Sequence, residues 1–511
     1  MKKILCLPLL IWGIIILAGC FNKSDPLIGQ VQSILDSKIT LALANNVIKD
    51  SKVIELNGKE KAILADSATK ILIEKNGKTR EAKIDDIQTG DILSVIVDED
   101  NKTAIKIGLK NDWTAQSNSD DRSKQISLSG RHVVSDELIE SAGETFDSTY
   151  TDENSILIED NGVLNASNAA ITKSGDTTSE KESRLYGVNN AVVAISGSAG
   201  NLEGSSIQSE AEGGNAIFAS GKDSIIRLFD TSILTTGGSA KGLYATNQGA
   251  ITGQDISITT EGAHSAAAVA DGKNSSVTLY DTTLTTASKN SPCLYSAGAI
   301  KAIGVLGLAN ASSAAILEGK STLSISSSDL TGTGNYGILM HGSHSSEDGL
   351  ASFSAIDSLL SATQDEAMFY VTRTDVEASI SNTELCFESG VLIKAQKSGN
   401  IAFKAYKQTL TGDILCDDTS TVSLELREDS FYKGAVDTAN QGSVILVLEK
   451  SSTWSMTEDS YISILSNEQL DCRNIQSNGH TLFYDAEEEE NGWLNGDTHT
   501  LPGGGKLTPA P

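Results

Sequence analysis

Residues 242–260 read GLYATNQGAITGQDISITT, and residues 266–287 read AAAVADGKNSSVTLYDTTLTTA. Both stretches break into three short apolar runs, each bounded by Gly, Asn, Asp or Ser. Within each run the aliphatic residues alternate with Thr, Ser or Ala, which is the period of an extended strand. The last run of each opens with Asp and places an aliphatic residue two or three positions later. That beat recurs at Ile207, Ile233, Ile258, Leu284, Leu330, Leu359, Leu385 and Leu410. Successive members are about 25 residues apart, and the one long step, from Leu284 to Leu330, has Leu308 as its expected missing member.

A fixed period of this length, filled by strands of ~3–5 residues, points to stacked units rather than one globular core. The expected fold is all-β: a right-handed parallel β-helix, one coil per repeat, over residues 125–485. About 13 coils at ~4.8 Å each would make a rod of roughly 60–65 Å. Ile, Val and Leu are expected to point inward and Thr and Ser outward. An antiparallel sandwich would need turn signals every ~8–12 residues, and a period near 25 argues against it.

The chain has 511 residues, and the rest of it divides by composition. Lys2 and Lys3 precede an apolar run from Leu9 to Leu17, and Leu17-Ala18-Gly19-Cys20 closes it. This is the layout of a secretory signal over residues 1–20. Residues 21–26 read as a tether. Residues 27–109 carry six strand-like runs: IGQVQSIL, KITLALA, KVIEL, KILIE, DILSVIV and TAIKI. NG, GK and DED turn signals separate them, which suits a small closed or nearly closed barrel. Residues 110–124 are polar, with Trp113 their only aromatic, and read as a linker. Residues 486–511 read as a C-terminal cap and tail, a hairpin with an extended end.

The net charge is −28, and the eight arginines do not cluster. Nucleic acid is therefore an excluded partner, because phosphate recognition needs grouped Lys and Arg. Cys293, Cys386, Cys416 and Cys472 show neither CxxC spacing nor the density of a disulfide framework. Cys386 and Cys416 are about one repeat apart, so a bridge between neighbouring coils is one reading and buried free thiols are the other.

Candidate chemistry is sparse. Asp230, Asp255 and Asp281 fall at a similar phase of adjacent coils with Arg227 nearby; stacked carboxylates could hold calcium, or they could cap bends. Tyr244, Tyr280 and Tyr295 could be stacking platforms for sugars, or core residues. His341 and His344 lie near Glu347 and Asp348, but in a Gly/Ser-rich stretch that reads as a solvated loop. No catalytic motif stands out, and no catalytic residue, metal ligand or required cofactor is assigned.

Four resemblances extend this reading. Leu17-Ala18-Gly19-Cys20 resembles the lipobox of bacterial lipoproteins, which implies cleavage before Cys20 and a membrane anchor through lipid on Cys20. Asp85-Asp86-Ile87-Gln88-Thr89-Gly90-Asp91 is similar to a turn in small barrel domains that follow such anchors, which implies a spacer. YGVNNA at 186–191, SPCLYSAGAI at 291–300 and ILEGKSTLSI at 316–325 resemble adhesin-like parallel β-helix proteins, which share a shape with pectate lyases. Ser452 to Leu465 resembles the last coils of autotransporter passengers. Together they imply a cell-surface or outer-membrane rod that binds glycan, matrix or another cell without catalysis; a polysaccharide lyase or hydrolase on the same scaffold is the alternative. Ligand and oligomeric state stay open.

Overall fold

A computed structural model describes residues 26–35, 37–48, 53–75, 78–98, 102–110, 114–117, 126–343, 349–363 and 366–511. The chain divides into two compact units, Met1–Asn118 and Ser119–Pro511. Cys20, Trp113 and His344 lie outside the described residues.

The second unit is a right-handed parallel β-solenoid of about 15 turns. Three long parallel sheets form its walls. Sheet 1 has 12 strands, from Ser129–Ser135 to Asp413–Cys416. Sheet 2 has 14, from Leu138–Ala142 to Ile464–Asn467. Sheet 3 has 10, from Thr145–Ser148 to Glu384–Phe387. Each coil visits sheets 1, 2 and 3 in turn, so like residues of successive coils stack. Ile226, Ile251, Val277, Ile300 and Leu323 form one such inward row, all buried.

The turn from sheet 2 to sheet 3 explains the repeating beat. It has two residues. The first adopts a left-handed conformation: Asn168, Gly204, Asp230, Asp255, Asp281, Gly304, Ser327, Asp357 and Asn382 have φ of 54, 57, 46, 52, 47, 67, 48, 49 and 46°, and Lys407 (48°) holds the matching turn into Thr409–Thr411, which belongs to a separate four-stranded sheet. The second points inward, and where it is Ser or Thr its hydroxyl donates to the carbonyl two residues back, as at Ser205 (3.0 Å), Thr231 (2.9 Å), Thr282 (2.9 Å) and Ser328 (2.8 Å). Those bonds satisfy hydroxyls that burial would otherwise penalise. Asp is common at the first position because it tolerates the left-handed region better than most residues.

Two members of the beat shift register. Leu284 pairs with Gly307, not Leu308, and Leu308 faces outward, 39% exposed. A Cβ on Gly307 would stand 2.6 Å from Leu330 Cδ2 and 3.2 Å from Cys293 Sγ, so the larger neighbours already fill that layer. Leu330 stacks on Leu360 rather than Leu359. The inward-aliphatic, outward-polar rule also needs correction. The threonines that end the sheet 3 strands are buried: Thr235 and Thr260 donate to carbonyls five residues on, at 2.9 and 2.5 Å. Asn154, Asn190 and Asn215 form a buried amide ladder.

The unit also holds an unexpected helix, Glu180–Tyr186, capped by Ser179 and ended by Gly187. Residues 186–191 are thus a helix end and the loop after it. At the C-terminal end, Asn491 bonds Leu465 N (2.9 Å) and Ser463 O (2.7 Å), covering the last edge of sheet 2. The tail forms the expected hairpin, His499–Thr500 against Lys506–Pro509. It is packed rather than extended, with Leu501 and Leu507 buried in the solenoid core.

Among the described residues, the first unit is a mostly antiparallel sheet of eight strands rather than six. Its ladder does not close strand to strand. It curls until Leu64 bridges Thr103, with Leu64 N donating to Lys102 O at 2.8 Å, which gives a nearly closed barrel around Val31, Leu41, Ile63, Val95 and Ile107. Asn57-Gly58 is not a turn: Ala42 pairs with Glu60 and Ala44 with Leu56, so the pair lies in a bulge. Thr114–Ser117, expected in the linker, is a strand paired with Val53–Leu56.

Candidate functional site

Sheet 2 presents the most orderly outer face. Its five-residue strands turn residues 2 and 4 inward, which leaves residues 1, 3 and 5 in three outward rows. The central row runs Glu140, Asn165, Asn201, Arg227, Thr252, Thr278, Lys301, Ser324 and Ser354. Its members bond along the rod: Asn201 donates to Asn165 at 2.8 Å, Arg227 to Asn201 at 3.4 Å, and Ser354 to Ser324 at 3.1 Å. The row beside it carries Phe229, Gln254, Tyr280, Ile303 and, farther on, Ile356. Phe229 is 43% and Ile356 47% exposed, and Tyr280 is half-buried. An open groove of about 650 Å³ follows these rows over the first five strands of the sheet, lined by Glu140, Asn165, Asn201, Arg227, Phe229 and Gln254 among others.

Hydrogen-bonding groups therefore recur once per coil at about 4.8 Å, beside apolar and aromatic surface. That combination suits a linear polymer bearing hydroxyls, with ring faces against Phe229 and Tyr280. The row could not be read from the sequence, because it depends on which residue of each strand faces out. A one-residue shift inverts the face.

Asp230, Asp255 and Asp281 border this face as exposed left-handed turn residues. Gly304, Ser327 and Lys407 adopt the same conformation at the same station, so the position demands a backbone shape rather than a carboxylate. Asp255 accepts only from the neighbouring Gln254 side chain, at 3.3 Å, among the described residues. No group of three or more potential metal-ligating side chains is assembled among the described residues.

The three tyrosines separate. Tyr280 is on sheet 2, whereas Tyr244 and Tyr295 share an outward row of sheet 1 with Phe218 and Val269. Tyr244 is buried, edge-on to Phe218 at 5.3 Å, and donates to Asp271 Oδ2 at 2.6 Å. Tyr295 donates to Glu318, and burial, then that carboxylate, raises its pKa well above the ordinary value. Tyr244 is thus core, whereas Tyr295 is half-buried with its hydroxyl engaged. The sequence left burial and exposure open for these residues; the segment around Gly187, lying on Phe218, accounts for part of the cover.

His341 stacks in register with Glu318 on sheet 1, and burial lowers its pKa. Cys386 is exposed on sheet 3, while Cys416 is buried on sheet 1, its thiol donating to Ser420 O at 3.2 Å. The expected stacking of these cysteines fails because coils shorten here: Asn400 pairs with Thr421 and Thr421 with Ser443, so a 30-residue separation lands on a different wall. The four described cysteines are free.

Compared with protein-family models, curated proteins and solved structures, the chain has no significant match.

Proposed function

We propose that this chain is a non-catalytic, adhesin-like surface rod that binds extended glycan along the outer face of sheet 2. The carrying observation is the central row from Asn165 to Thr278, repeating once per coil beside Phe229 and Tyr280. A polymer lying parallel to the rod would meet the same donors and acceptors at each step, so many weak contacts add through multivalency. The alternative, a lyase or hydrolase, draws no support from Asp230, Asp255 and Asp281, whose shared conformation the turn explains. Calcium at those residues draws none either.

Location belongs to the same proposal. Leu17-Ala18-Gly19-Cys20 supports lipid attachment at Cys20 and display on the cell envelope, and the N-terminal sheet then serves as a spacer. Cys20→Ser is expected to move the chain from the detergent phase to the aqueous phase on Triton X-114 partitioning. Unchanged partitioning would remove the anchor from the proposal.

The binding test uses the full chain in mild detergent with a panel of neutral and acidic polysaccharides, with and without calcium. Binding without new chain ends is expected, with at least a ten-fold loss in Phe229→Ala. New chain ends would replace the adhesin reading with the enzyme reading.

A further inference from the structure

From Ile225–Phe229 to Ala351–Ile356, six consecutive strands of sheet 2 present eighteen outward side chains. Only two of these are charged, and both are cationic: Arg227 and Lys301. The whole chain carries 67 acidic against 39 basic residues, so an acid-free stripe of this size runs against the composition. The nearest acids on the same face are Glu203 before the stripe and Glu377 after it. Arg227 and Lys301 are exposed, share the central row, and stand three strands apart, about 14 Å. Among the described residues neither forms an ion pair, and Arg227 bonds only Asn201. Lys404, farther along the row, is instead paired with Glu377 at 3.3 Å.

The stripe is also graded across its width. The turns entering its first five strands from sheet 1 carry exposed Lys222, Lys273 and Lys320, with Asp223 the one acid among them; the segment entering the sixth includes Glu347 and Asp348, which lie outside the described residues. The turns leaving it carry Asp230, Asp255 and Asp281, with Asp357 at its far end. At physiological ionic strength charges farther than about 8 Å are screened. A ligand on the stripe therefore responds to these nearby groups more than to the net charge of the chain.

Building on the glycan-binding reading, we propose that the ligand is an anionic polysaccharide, its carboxylates or sulfates on Arg227 and Lys301 and its free hydroxyls toward Asp230, Asp255 and Asp281. An unpaired guanidinium forms paired hydrogen bonds with planar carboxylates and with sulfate oxygens, which water replaces less well. The Asp border repels anionic substituents on its own side and accepts from sugar hydroxyls, so it fixes which edge of the polymer faces which wall. The acid-rich turns also disfavour a polymer with anions on both edges, such as a nucleic-acid duplex.

The test uses the full chain in mild detergent and matched polymers: polygalacturonate against its methyl ester, and dextran sulfate against dextran. Affinity is measured at low and physiological salt for the native protein, Arg227→Gln/Lys301→Gln, and Lys450→Gln as an off-stripe control. The expected result is preference for one anionic polymer over its neutral partner, weakening with salt, and at least a ten-fold loss in the double variant alone. The polygalacturonate and dextran sulfate arms distinguish carboxylate from sulfate. Equal binding to both members of each pair, unchanged by the double variant, overturns the anionic assignment and leaves glycan binding standing. No binding to any of the four polymers, with circular dichroism showing an intact solenoid, overturns both.

Discussion

Replacing Asp230, Asp255 and Asp281 together by Ala, and separately by Asn, separates the demands of the turn from those of the carboxylates. Each residue has a φ between 46 and 52°. An ordinary L-residue held there costs roughly 1–2 kcal/mol, a cost that Asn and Asp reduce by local hydrogen bonding. The side chains are exposed, so truncation forfeits little packing. Three substitutions to Ala should therefore cost about 3–6 kcal/mol in sum, less if adjacent turns relax together. Three substitutions to Asn remove the same three charges and should cost close to nothing. The assay is urea unfolding followed by far-ultraviolet circular dichroism, comparing midpoints at equal slope. The Ala triple should unfold at clearly lower urea than the Asn triple. If the two coincide, the conformational argument is wrong. If the Asn triple keeps native stability but loses a calcium-dependent or catalytic activity, the carboxylates act chemically and the enzyme reading returns.

Other consequences follow from packing and titration. Gly307→Leu restores the residue type that the repeat leads one to expect, yet it should destabilise by about 1–3 kcal/mol through overpacking against Cys293 and Leu330; an unchanged unfolding midpoint would contradict the assigned register. Under native conditions a thiol reagent should label Cys386 alone among Cys293, Cys386, Cys416 and Cys472, as read by mass spectrometry, because the other three are buried and their pKa values are raised by burial to about 12 at Cys293, 12 at Cys416 and 11 at Cys472. The same shift sets a pH dependence. The Cys293 thiol ionises in the unfolded chain near 9 but in the folded chain only near 12, so its contribution is intact below pH 9 and is lost as pH rises toward 12. Cys293→Ala should therefore flatten the fall in unfolding midpoint between pH 8.5 and 10.5, and an identical slope in both proteins would refute the assignment.

The pattern of short alternating strands with a beat near 25 residues was enough to establish a parallel solenoid, since that spacing and those turn residues leave no other economical way to bury the aliphatic positions. The station was visible too, as the recurring Asp that could cap bends or hold calcium, although the sequence left those two readings open and did not show the left-handed conformation. Leu308 and Leu359 show where the reading ran out: each sits one residue from the inward position, and only the neighbouring volumes of Cys293, Leu330 and Leu360 decide which residue turns in. The cysteines show the same limit, because coil length drifts and sequence separation then stops predicting the wall.

The candidate site was less legible than the fold. Tyr244, Tyr280 and Tyr295 are alike in sequence, yet they divide between two sheets and between buried and half-exposed positions according to strand phase and the cover around Gly187. Arg227 and Lys301 are 74 residues apart and no motif connects them; stacking of successive coils brings them into one row about 14 Å apart. Local periodicity decides what a segment becomes, because strands and turns are selected by nearest neighbours along the chain. Which side chains share a surface is decided only when coils stack, because that contact is made between residues the sequence holds far apart.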